Sequence, residues 1–102
     1  MHEALSKHAR KRMQQRAITV DDAHIVLAHG DRVKAVGAQA VAVTLTAEAA
    51  KSLAAEGTIA ARSVSRLSRL AVVVAHADST IITVAWLHGR KRRSYTRGAA
   101  IH

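Results

Sequence analysis

The chain has 102 residues, no cysteine and a net charge of +9, which sets aside a disulfide scaffold and thiolate zinc sites and leaves room for about one small domain with its own core. The charge sits at the two ends: residues 1–16 hold Lys7, Arg10, Lys11, Arg12 and Arg16 against Glu3, residues 87–102 hold Arg90, Lys91, Arg92, Arg93 and Arg97 against no acid, and the six basic residues between are matched by six acidic ones. No apolar run reaches the roughly 18 residues of a membrane span and none follows the basic start as in an export signal, so a cytoplasmic protein with a polyanionic partner, nucleic acid first, is expected.

In chain order, Leu5, Ala9 and Met13 recur every four residues and predict an apolar stripe on a first helix that runs to Arg16, with Ser6 or the residues before it supplying the start. A second helix is expected from Thr19: its hydroxyl caps the first turn, Asp21 and Asp22 face the positive end of the helix dipole, Ala23, Val26 and Leu27 form the buried side, and Gly30 stops it. The period then changes to two, predicting strands over 32–36 and 39–45 around Gly37. Thr46 resembles another N-cap, with a helix over 47–55 ending at Gly57, and Thr58 is expected to cap one more, its stripe being Ile59, Val64, Leu67 and Ala71. The β-branched runs Val72–Val74 and Ile81–Val84, bounded by Asp78-Ser79, predict a hairpin at the centre of the sheet. Residues 88–102 read as a short basic edge strand or a tail. The order of helix pairs and strand pairs predicts a single α+β domain over 1–102, with N-terminal helices packed on an antiparallel sheet and further helices between the strand pairs.

On the first helix His8, Arg12 and Arg16 share a stripe about 60° from the apolar one, so they border the buried face, while Lys7, Arg10 and Lys11 project more freely to water. An imidazole exchanges protons near neutral pH and guanidinium forks match phosphate oxygens, a set suited to RNA phosphodiester chemistry without a metal or other cofactor. The 2′-hydroxyl would attack its own phosphate with His8 as proton-transfer group and Arg12 and Arg16 on the nonbridging oxygens. Tyr95 or His88 is a candidate donor to the leaving 5′-oxygen. Lys7, Lys11, Arg90, Lys91, Arg92, Arg93 and Arg97 would hold the nucleic acid backbone. With Trp86 and Tyr95 the only aromatic residues, phosphate contacts rather than base stacking would dominate. Thr83, between Ile82 and Val84, is expected on the opposite strand face from both, where it can line a groove. His24 and His29 stand about 140° apart on a helix and H-E-x-x-H is absent, so no metal site is expected.

The run Ser6-Lys7-His8-Ala9-Arg10-Lys11-Arg12-Met13-Gln14-Gln15-Arg16-Ala17-Ile18-Thr19 resembles the opening of a bacterial family of unknown function, marked by His-Ala, two Arg four residues apart, an Ile and a helix cap, and Ile81-Ile82-Thr83-Val84 resembles its closing strand. That family looks related to the RelE-like toxins within the barnase, EndoU, colicin and RelE nuclease group. The resemblance implies a RelE-like α+β fold, a hydrolase acting as a metal-independent endoribonuclease, His8, Arg12, Arg16 and Thr83 as its site, and the role of toxin in a toxin–antitoxin pair that cleaves mRNA, with RNA and a cognate antitoxin protein as partners. The long Ala/Ser-rich segment from Thr46 to Leu70 and the basic tail depart from that pattern. A noncatalytic nucleic-acid-binding regulator, or an interaction module docking an acidic protein, would use the same basic surface.

Overall fold

The computed structural model describes residues 5–87 and the backbone of Ala99–Ala100. Helix formation begins where a short hydroxyl side chain can accept an otherwise unpaired N–H. Ser6 accepts from Ala9 N at 3.0 Å and opens α1 (Lys7–Gln15). Thr19 opens α2 (Val20–His29) with a reciprocal box: Asp22 N donates to Thr19 Oγ1 at 3.1 Å and Thr19 N to Asp22 Oδ2 at 3.4 Å. Thr46 accepts from Ala49 N at 3.2 Å to open α3 (Ala47–Ala55), after strands β1 (Arg32–Ala35) and β2 (Ala40–Thr44). A 3-10 turn (Ala61–Ser63) leads into the single-turn α4 (Val64–Leu67), and then come β3 (Leu70–Ala75), β4 (Ile81–Trp86) and the two-residue β5 (Ala99–Ala100).

The expected helix on a Thr58 cap does not form. Both α1 and α3 end in the same reverse turn, which consumes the N–H of the second residue past the cap. At α3, Gly57 takes φ +83°, its N–H returns to Ala54 O at 3.1 Å and Thr58 N returns to Leu53 O at 2.9 Å, so Thr58 closes one helix instead of starting the next. The chain then reaches α4 through a cap residue, Ala60, that makes no side-chain bond, and Ala71, expected on the helix stripe, lies inside β3. At α1 the equivalent bonds run from Ala17 N to Gln14 O at 3.5 Å and from Ile18 N to Met13 O at 2.9 Å, with Ala17 forced to φ +55°.

The sheet is antiparallel throughout, in the order β4-β3-β2-β1-β5. The β3–β4 hairpin is therefore not its centre: β3 is interior, but β4 is an edge strand. Helix α1 runs beside that edge, Ser6 N donates to Ile81 O at 3.0 Å and Ser6 Oγ to Ile82 O at 2.9 Å, and the Trp86 indole N–H donates to Arg16 O at 3.1 Å. This explains how a β-branched, buried strand can stand at an edge: Leu5 forms a single parallel bridge to Ile81 and α1 packs against the strand, so its edge is covered without a further full strand.

One face of the sheet packs the core. Val43, Leu45, Leu70, Val72, Val74, Ile81 and Val84 meet Ala9, Met13, Ile18, Val26, Leu53 and Leu67 from the helical segments, each fully buried large side chain contributing on the order of 1.5–3 kcal/mol. The other face carries small residues, with Ala40, Ala42 and Val73 packed against Val36 and Ile82. At Gly30 a side chain has no room: a Cβ would strike Val43 Cγ1 and stand 2.5 Å from the Val26 carbonyl oxygen, so this glycine permits α2 to approach β2 as well as ending the helix.

Candidate nucleic-acid interface

The residues that α1 turns outward divide into two flanks. His8, Arg12 and Arg16, four residues apart, run along one of them. His8 is exposed, Arg12 and Arg16 are half-buried, and Lys7 and Lys11 beside them are exposed. Ala9 and Met13, 0% and 5% exposed, hold the helix from below.

Arg12 Nε approaches His8 Nε2 at 3.5 Å, one turn apart on the helix. For this contact to be a hydrogen bond the imidazole must be neutral, with its proton on Nδ1 and its Nε2 lone pair turned to the guanidinium. A lone pair of that kind can accept a proton, and a guanidinium next to it can pair with a phosphate oxygen, so the two side chains carry complementary functions within one contact. Arg16 contributes differently. Its main chain ends the helix, with Arg16 N returning to Arg12 O at 3.0 Å, and its carbonyl oxygen receives the Trp86 indole N–H; the position of this third member of the stripe is fixed by its backbone.

Thr83 lies half-buried on β4, the strand against which α1 packs. In the register it stands opposite Val73, and directly opposed residues share a face, so it belongs to the small-residue face with Val73 and Ala42, whereas Val84 faces the helices. The expectation that it opposes both neighbours fails for Ile82. An irregularity between Val73 and Val74 leaves Ile81 paired with Val74, and Ile82 packs on the same face as Val73. Tyr95, His88, Arg90, Lys91, Arg92, Arg93 and Arg97 lie outside the described residues.

The opposite flank of α1 borders a cavity of about 490 Å³ between this helix and the start of α2. Leu5, Met13, Ile18 and Val20 supply its apolar wall, and Arg10, Gln14 and Thr19 its polar groups. None of His8, Arg12, Arg16 or Thr83 lines it. Arg10 is exposed, as expected, yet also borders the cavity, and sequence reasoning passed over Gln14. The signal that could have found them is the 100° step between neighbouring helix positions, which puts Arg10 and Gln14 beside Met13 on the side away from His8.

Elsewhere Asp22, 4% exposed, holds Arg66 Nη2 at 3.1 Å through Oδ1, tying the first turn of α2 to α4. Among the described residues no group of three or more His, Cys, Asp or Glu could hold a metal ion, and no helix is long and apolar enough to cross a membrane. Comparison with protein-family models, with curated proteins and with solved structures gives no match for this chain.

Proposed function

We propose that the His8–Arg12 flank of α1 binds RNA and cleaves it as a metal-independent endoribonuclease, working in the cytoplasm as the toxin of a bacterial toxin–antitoxin pair with mRNA as target. The observation that carries the chemistry is the 3.5 Å contact between His8 Nε2 and Arg12 Nε on an exposed, basic helix face; the toxin role rests on the resemblance of residues 6–19 alone. In the reaction the Nε2 lone pair leaves Arg12 and takes the proton of a 2′-hydroxyl. The 2′-oxygen then forms a bond to the adjacent phosphorus, the bond to the 5′-oxygen breaks, and a 2′,3′-cyclic phosphate and a 5′-hydroxyl result as the leaving oxygen takes a proton from water, the His8 imidazolium returning its proton to the hydroxide so formed. The freed Arg12 guanidinium pairs with the nonbridging oxygens as charge builds there. Lys7 and Lys11 hold flanking phosphates and make binding weaken steeply with salt.

Labelled RNA incubated with the purified protein in excess chelator tests this. Cleavage to cyclic phosphate ends is expected, with a fall of about 10²–10⁴-fold for His8→Ala, the range ordinarily supplied by a positioned proton-transfer group. Intact RNA, or equal cleavage by wild type and His8→Ala, would overturn it. A noncatalytic nucleic-acid-binding regulator is the second reading, favoured by the exposed basic residues Lys7 and Lys11 of α1, since binding alone needs no second group at the imidazole. Retained, salt-sensitive RNA binding by a protein that leaves the RNA intact would establish it.

A further inference from the structure

On the flank of α1 turned away from His8, apolar surface is left open beside a positive charge. The cavity there has the volume of a binding site rather than of a packing defect, about 490 Å³ against the roughly 300–1,000 Å³ of ligand pockets. Its floor is anchored, because Met13 and Ile18 are 5% and 4% exposed and are joined by the bond that closes α1. Its rim holds Val20, which at 40% is the most exposed of the large apolar side chains among the described residues. Among the described residues Arg10 is the one charged group in the wall, and its guanidinium has no ion-pair partner there.

The charges around the cavity set what fits. Lys7 and Lys11 lie within a turn of Arg10 on the same helix. At the α2 end Asp22 is already engaged, by Arg66 and by the Thr19 cap, and Asp21 is exposed but does not line the cavity. The described wall, of aliphatic groups and the Met13 thioether, suits a flexible aliphatic side chain, and Met13 can adjust to its shape. The Arg10 fork suits a carboxylate taken two oxygens at a time.

From these observations we infer that the cavity between α1 and α2 is a docking site for an acidic, amphipathic segment of a partner protein, which seats an aliphatic side chain on Met13 and Ile18 and a carboxylate on Arg10. Charge complementarity selects the carboxylate, and the uncovered Val20 gives the segment apolar area to bury. Gln14, one turn beyond Arg10, offers a side-chain amide to the segment's main chain. The inference stands apart from the nuclease reading, since none of its residues is His8, Arg12 or Arg16.

A capped, dye-labelled peptide in which Leu and Glu recur one helical turn apart is the probe, titrated by fluorescence anisotropy against the full chain, with amide chemical shifts recorded in parallel. Saturable binding is expected, weakened about tenfold or more by Arg10→Gln and several-fold by Val20→Ser, and unchanged by His8→Ala, with shifts concentrated at Leu5, Arg10, Gln14 and Ile18 to Val20. A peptide with Gln for each Glu, or Ala for each Leu, should bind far more weakly. Any of three results would overturn the site: no saturable binding; equal binding by the Ala-substituted peptide with shifts on the Lys7 and Lys11 flank, which is attraction to net charge alone; or occupation of the cavity by decanoate but not by the peptide, which makes it a small-molecule site. Loss of RNA cleavage in His8→Ala with peptide binding intact keeps the two proposals separable.

Discussion

Asp31 grips Thr46 twice across fifteen residues of sequence: its Oδ1 accepts the Thr46 main-chain N–H at 2.8 Å and its Oδ2 accepts the Thr46 hydroxyl at 2.6 Å. That hydroxyl in turn accepts from Ala49 N, so one carboxylate aligns the group that starts α3. Two charge-assisted bonds at a half-buried site are worth about 2 kcal/mol together. Asp31→Ala should lower the urea unfolding free energy by about that amount, and Asp31→Asn, which keeps one acceptor, by roughly half as much.

Ala17 and Gly57 occupy the same position in two equivalent helix ends, at φ +55° and +83°. Only glycine holds this left-handed conformation without steric cost, and Ala17 is exposed, so its methyl group packs against little. Ala17→Gly should stabilise the protein by about 1 kcal/mol, seen as a thermal midpoint higher by roughly 4–8 °C in a domain of this size. An unchanged or lowered midpoint would contradict the strain assigned to this turn.

Thr44, on β2, is 1% exposed and its hydroxyl has no hydrogen-bond partner among the described residues. Its neighbours across the strands are Arg32 and Ala71. Thr44→Val keeps the branched shape and removes the unpaired polar atom, so a gain of about 1 kcal/mol in chemical denaturation is expected.

The Asp78 carboxyl is held below the ordinary aspartate range, chiefly because it accepts the Thr80 main-chain N–H at 3.0 Å in the hairpin turn, with the Thr80 side chain adding to the effect. A depressed carboxyl stabilises the fold above its unfolded-state value and loses that contribution as pH falls through the folded-state value. Stability should therefore decline on the acid side in part through this turn. Asp78→Asn, which resembles the protonated carboxyl, should remove that part of the slope by lowering neutral-pH stability while leaving stability in acid close to wild type, read by urea unfolding from acid to neutral pH.

Arg12 separates charge from geometry at the proposed cleavage site. Lysine preserves the positive charge but lacks the planar fork, so Arg12→Lys should retain most RNA affinity while cleavage falls about tenfold, and Arg12→Ala should reduce both. Equal cleavage rates for the lysine variant and wild type would show that the guanidinium does not act on the reacting phosphate.

The helix starts were legible because Thr19 and Thr46 are followed by acidic or small helix-forming residues and the capping bond is local. The same rule misled at Thr58, since whether a hydroxyl starts a helix depends on whether its N–H is already closing another. The buried stripe of α1 could be read from spacing, but its division into a His8–Arg12 flank and an Arg10–Gln14 flank only has meaning once α2 folds back on the Ala17 turn and walls in one of them. The edge position of β4 was hidden for a related reason. Its apolar composition records burial, which a helix satisfies as well as a neighbouring strand, and the irregularity that turns Ile82 onto the face of Val73 leaves no mark in the alternation of residue types.

The bonds from Ser6 to Ile81 and Ile82 join positions separated by most of the chain. During synthesis α1 therefore emerges before β4 but gains its seat only after β4 has left the ribosome, so the helix that carries the imidazole–guanidinium pair meets its supporting strand late. A nascent chain stalled before Ile81 should carry a first helix that is readily cut by protease, and one stalled well beyond Trp86 should protect it. The order of translation thereby delays seating of the basic helix until β4 has been made.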